Sequence, residues 1–140
     1  MINKRKSTWL ILAFILILSL GGCGTKTKHE NSSFEPINKL ISILYFNKGT
    51  YEDYKALFTN SSLAFSENQF NEFRKKPDKS SFKYGANSSD EIMSHMKAVP
   101  NDANFATVYY VEDVDKSDES KAPLQWKVEN RDGKWLLKND

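Results

Sequence analysis

Leu124-Gln125-Trp126-Lys127-Val128-Glu129-Asn130-Arg131-Asp132-Gly133-Lys134-Trp135-Leu136-Leu137-Lys138 is the stretch on which the fold turns. Two runs with alternating apolar positions flank Asp132-Gly133, a dipeptide that tolerates the positive φ angles of a tight hairpin turn. With a two-residue turn, Val128 faces Leu137 and Asn130 faces Trp135. Trp126, Val128, Trp135 and Leu137 then share one face of the hairpin, and that face has to be covered.

The cover comes from the segments upstream. Pro36 suits a first helical turn, Ile37, Leu40, Ile41, Leu44 and Tyr45 recur at helical spacing, and Asn47-Lys48-Gly49 supplies the stop, so a helix is expected from Glu35. Thr50 with Asp53 predicts a capped second helix carrying Tyr51, Tyr54, Leu57 and Phe58. Ser66 with Gln69 predicts a third, with Phe65 stapling onto Phe70 and with Phe70 and Phe73 inward. Lys75-Lys76-Pro77 closes it.

Between these helices and the terminal hairpin the periodicity shortens. Ser81-Phe82-Lys83-Tyr84 alternates and is expected to be a short strand. Glu91 to Val99 fits two patterns: Ser88 with Glu91 suggests a capped helix containing Ile92, Met93 and Met96, yet Ile92, Ser94, Met96 and Ala98 also alternate. A strand is the expectation there. Phe105 to Val111 is the clearest strand, with Phe105, Thr107, Tyr109 and Val111 on one face, and Asp113 to Lys121 is a charged connection. Helices first and an antiparallel sheet after them make an α+β domain over residues 35–140.

In front of this domain stands a different kind of sequence. Asn3-Lys4-Arg5-Lys6 is basic, Trp9 to Leu20 is almost continuously apolar, and Gly21-Gly22 leads into Cys23, the sole cysteine. That is the layout of a secretory signal. The apolar run falls short of the roughly 20 residues that a membrane span needs. Residues 24–33 are polar and lack periodicity, and they are expected to form a flexible tether of about 35 Å when extended. His29 belongs to this tether and carries no ligand spacing.

The series Leu20, Gly21, Gly22, Cys23 resembles the lipobox of bacterial lipoproteins. This resemblance implies cleavage between Gly22 and Cys23, a diacylglyceryl group on the Cys23 thiol, loss of residues 1–22, and a domain anchored at the extracytoplasmic face of the cell membrane by residues 23–34. Two acyl chains hold a protein to a bilayer with on the order of 20 kcal/mol, so the attachment would be permanent.

Composition narrows the functions further. The chain of 140 residues has 20 Lys and Arg against 18 Asp and Glu. Removing Lys4, Arg5 and Lys6 leaves 17 against 18, a net charge of −1, which argues against nucleic acid as a partner. With Cys23 lipidated, no thiol remains for a disulfide or a nucleophile. Lysine outnumbers arginine 17 to 3 and asparagine is abundant, the bias of an AT-rich genome, and this suggests a Gram-positive source.

Over residues 35–138 the order of elements, ending in Trp126 to Leu137, resembles the nuclear transport factor 2-like (cystatin-like) superfamily. The resemblance implies a curved sheet wrapped around a helix as a cone, with Tyr45, Tyr54, Phe58, Tyr84, Tyr109 and Trp126 as candidate lining. Members that move protons place a carboxylate or a His–Asp pair in the cone, whereas Asp53, Asp90 and Asp113 lie at cap or loop positions. His95 has no second ligand at metal spacing. The expectation is a non-enzymatic domain without metal or cofactor, apart from the covalent diacylglycerol, that contacts another envelope protein. A carrier or sensor of a small apolar ligand, and an exclusion or immunity lipoprotein of a mobile element, are the alternatives.

Overall fold

A computed structural model describes residues 32–138. The signal, Gly22, Cys23 and the tether up to Asn31 lie outside the described residues. Four helices and four strands follow in order: α1 Glu35–Phe46, α2 Tyr51–Lys55, α3 Glu67–Lys75, α4 Ser89–Ser94, β1 Met96–Pro100, β2 Phe105–Tyr110, β3 Leu124–Arg131 and β4 Lys134–Lys138. The strands form one open antiparallel meander, β1-β2-β3-β4, so the domain is α+β.

Local chemistry sets the helix ends. α1 begins with Pro36 in its first turn and stops at Asn47, which adopts a left-handed conformation with φ 56°. Both capping boxes form: the Thr50 hydroxyl accepts from Asp53 N–H and the Ser66 hydroxyl from Gln69 N–H, while the Asp53 and Gln69 side chains return the bond to the cap backbone. Arg74 at the end of α3 then donates to Asn47 Oδ1 at 2.7 Å and to the Gly49 carbonyl at 3.0 Å, joining α3 to the α1–α2 turn.

The hairpin register matches the spacing of the sequence. Val128 pairs with Leu137 and Asn130 with Trp135 across a turn in which Asp132 and Gly133 both have positive φ, 52° and 83°. Val128 and Leu137 are buried, whereas Trp126 and Trp135 are half-buried. The far edge of β4 is occupied by the chain after α2: Leu137 N–H donates to the Leu57 carbonyl and Thr59 N–H to the Leu137 carbonyl.

Three expectations need correction. Ser81–Tyr84 is a pair of turns instead of a strand. Its aromatic residues are anchored without a ladder, Phe82 edge-on to Tyr110 and Tyr45, and Tyr84 donating its N–H to the Tyr110 hydroxyl at 2.9 Å. Glu91–Val99 is both things in succession, because Ser88 caps α4 through Glu91 N–H and the chain then extends into β1 after His95. Both patterns were real, but they occupied successive halves of the stretch. Phe65 rests against Tyr54 and Phe73, at centroid distances of 6.0 and 5.9 Å, and is 38% exposed where a staple onto Phe70 was expected.

The core sits between α1 and the sheet. Ile37 and Ile41 of α1, Phe70 of α3, Ile92 of α4, and Val108, Tyr110 and Val128 of the sheet are all 0–1% exposed. Side chains alternate along β2, so Ala106, Val108 and Tyr110 face the helices while Phe105, Thr107 and Tyr109 take the opposite face. Among the described residues no helix is long and apolar enough to cross a membrane.

Candidate functional site

The aromatic residues of α2 organise an opening lined mainly by Leu, Phe, Tyr and Trp side chains. Tyr51 and Tyr54 lie three residues apart on one side of a helix whose start is fixed by the Thr50 cap. Their hydroxyls hold the two backbone groups of one residue: Tyr51 donates to the Phe65 carbonyl at 2.9 Å, and Tyr54 accepts from Phe65 N–H at 3.1 Å. The segment containing the Ser61–Leu63 turn is thereby held over α2.

A groove of about 360 Å³ opens between this segment, α1 and the end of the β3–β4 hairpin. Leu40 and Leu44 come from α1, Tyr54 and Phe58 from α2 and its exit, Leu63 and Phe65 from the held segment, and Trp126 and Leu137 from the sheet. Gln125, Lys127 and Lys138 border it. The strand register directs those three side chains toward the other face of the sheet, where Lys138 lies over the Phe105 ring. Burial pushes the Tyr54 hydroxyl above its ordinary pKa of 10.0, partly opposed by the bond from Phe65 N–H. Neither carboxylate nor imidazole lines the groove, and most of its side chains supply shape and apolar contact.

The sequence-derived lining residues divide among three places. Tyr54, Phe58 and Trp126 meet in the groove. Tyr45 packs edge-on against Phe73 and Phe82 on another side of α1, with its hydroxyl raised in pKa by burial and by the nearby Asp78 charge. Tyr84 stacks near Tyr110 and His95. Tyr109 is on the opposite face of the sheet from Trp126, because Val108, one position earlier, is the residue that pairs with Trp126. A strand shows its two faces on successive residues, and a tyrosine signals burial without saying on which side.

Leu40, Leu44, Leu63, Phe65 and Leu137 line the groove without being among the residues expected to do so. Leu40 and Leu44 of α1 and Leu137 of the hairpin belong to apolar faces that the sequence pattern shows, but Leu63 and Phe65 lie in a segment without periodicity. The signal that would have found them is the pair of tyrosines spaced to grip the loop that follows.

His95 has a structural role at the α4–β1 junction. Its Nδ1 lies 3.1 Å from the Val111 carbonyl and 3.0 Å from the Glu112 carbonyl, and two acceptors require that nitrogen to carry the proton. Asp53 is occupied by the Thr50 cap and is held below the usual carboxylate range by the Thr50 N–H and hydroxyl. Asp90 is in the first turn of α4, and Asp113 is bound into its own loop by Ser117 and Asp115. Among the described residues no group of three or more His, Cys, Asp or Glu side chains is arranged to hold a metal ion.

Comparison with known proteins returned no matching family model, no matching curated protein and no matching solved structure.

Proposed function

We propose that this protein is a lipid-anchored, extracytoplasmic, non-enzymatic domain that contacts another protein of the cell envelope through the groove beside Phe65. The observation that carries this proposal is the distribution of filled and open space. Between helices and sheet the interior is occupied by Tyr110, Phe70, Val108 and Val128, all 0–1% exposed, and at its periphery a groove lined largely by Leu, Phe, Tyr and Trp side chains opens with a 38% exposed phenylalanine at its edge. A filled interior leaves little room for an enclosed ligand, whereas an aromatic at the rim of an apolar depression suits an anchor side chain from a partner.

The helix-then-meander order supports the likeness to the nuclear transport factor 2-like superfamily. The Leu20-Gly21-Gly22-Cys23 series supports the anchor. A second reading, the binding of a small apolar molecule, is favoured by the groove volume of about 360 Å³, which lies at the lower end of the range for such ligands.

Chemical crosslinking of intact cells tests the proposal. The wild-type protein is expected to form one discrete adduct that Phe65→Asp abolishes and Lys116→Asp, on a remote loop, leaves intact. An adduct indifferent to Phe65→Asp refutes the groove as the contact. Mass spectrometry of the intact purified protein decides for the second reading if a small molecule accompanies the wild type and is lost from Phe65→Asp.

A further inference from the structure

A second cleft, of about 430 Å³, lies apart from the groove, along α1, the α1–α2 turn and the start of β4. Its character is different. Lys39 of α1, Lys48 of the turn and Lys134 of β4 line it, against a single lining carboxylate, Asp53. Asp53 is committed: its Oδ2 accepts from both Thr50 N–H and the Thr50 hydroxyl at 2.8 Å. Lys39 is paired with Glu35 at 2.6 Å, but Lys48 and Lys134 have no ion-pair partner among the described residues. The cleft therefore carries uncompensated positive charge in a mature chain that is nearly neutral.

The wall of the cleft points the same way. Ser89 is 8% exposed, and its hydroxyl donates to Asn38 Oδ1 at 3.0 Å. Having one proton, Ser89 must accept from Ser42, whose Oγ is 3.0 Å away. This chain fixes the Asn38 amide with its oxygen engaged and its two N–H donors without a partner among the described residues, and Asn38 and Ser42 both line the cleft.

We infer that this cleft is an anion site for a phosphate group, bound by Lys48 and Lys134 with the Asn38 amide donating. Ammonium groups act as point charges that suit a tetrahedral phosphate, and no arginine is present among the lining residues to give the flat two-point grip typical of carboxylate recognition. The phosphate belongs either to a small soluble molecule or to the head group of an anionic lipid.

Amine-acylation rates measured residue by residue on the full lipidated chain distinguish these. In uncharged detergent, inorganic phosphate is expected to slow acylation of Lys48 and Lys134 in a saturable manner and to leave Lys116, 84% exposed on a distant loop, unaffected. Lys48→Gln is expected to raise the phosphate concentration for half-protection of Lys134 by about tenfold. The comparison is then repeated in phosphatidylcholine vesicles with and without phosphatidylglycerol. Protection that appears with phosphatidylglycerol identifies the source as a lipid head group, and protection by free phosphate that phosphatidylglycerol does not reproduce identifies a soluble phosphate. The inference is overturned if neither probe protects, if Lys116 is protected equally, or if Lys48→Gln leaves the protection of Lys134 unchanged.

Discussion

Tyr109 and Tyr110 are adjacent, carry the same side chain and are assigned opposite faces of one strand, which makes their phenylalanine variants a sharp test of the fold. Tyr110 is 0% exposed, and its hydroxyl accepts from Tyr84 N–H at 2.9 Å. Tyr110→Phe keeps the ring and its contacts with Phe82 and Tyr84 but leaves that N–H without its acceptor in a part-buried setting. Such an orphaned donor costs about 1–3 kcal/mol, a substantial part of the 5–15 kcal/mol typical of a domain. The Tyr109 hydroxyl has no hydrogen-bond partner among the described residues, so Tyr109→Phe is expected to change stability by less than about 0.5 kcal/mol. Urea denaturation of a chain beginning at Asn31, expected to melt cooperatively, gives both values. With a slope of about 1–3 kcal/mol per molar, Tyr110→Phe moves the midpoint down by roughly 1 M. Hydrogen exchange at the Tyr84 amide should accelerate in the same variant. Equal midpoints for the two variants, or a larger loss for Tyr109→Phe, would refute the face assignment of β2.

Trp135→Ala is expected to cost about 1–3 kcal/mol, below the 3–5 kcal/mol of a fully enclosed tryptophan because this one is half-buried, while Lys134→Ala stays within about 0.5 kcal/mol; the same urea titrations measure both. Tyr45, Tyr54 and Tyr110 all have pKa values raised by burial above 10.0, so the folded state holds phenol protons that the unfolded state releases. Their contribution is fully present below pH 10 and is lost as pH rises through their folded values, so the melting temperature is expected to fall above pH 10, with tyrosinate absorbance appearing in step with unfolding. Cys23→Ala is expected to abolish incorporation of labelled fatty acid in growing cells, because no other side chain in the chain can form the thioether; persistent labelling would remove the anchor from the account.

Much of the fold was legible because its signals are local. The Asp132-Gly133 turn sets the hairpin register, and Thr50–Asp53 and Ser66–Gln69 close their caps within three residues. The failures share a cause. Phe82 and Tyr84 alternate as a strand would, but their partners are Tyr45 and Tyr110, 26 or more positions away, and no strand among the described residues pairs with them. Tyr109 was placed on the lining face because aromatic content reports burial and not side. The groove was legible in part: Tyr54, Phe58 and Trp126 stood out as aromatics, whereas Phe65 joins them through hydroxyl bonds to its backbone and Leu63 lies in the same segment, neither of which leaves a periodic trace.

A photoreactive amino acid placed in turn at Phe65 and at Tyr109, in intact cells carrying the lipidated protein, tests the central claim most directly. The groove account expects a single envelope protein to be captured from position 65, capture that Trp126→Ala weakens, and nothing above background from position 109. Capture from position 109 with none from position 65 would contradict it and move the contact to the opposite face of the sheet.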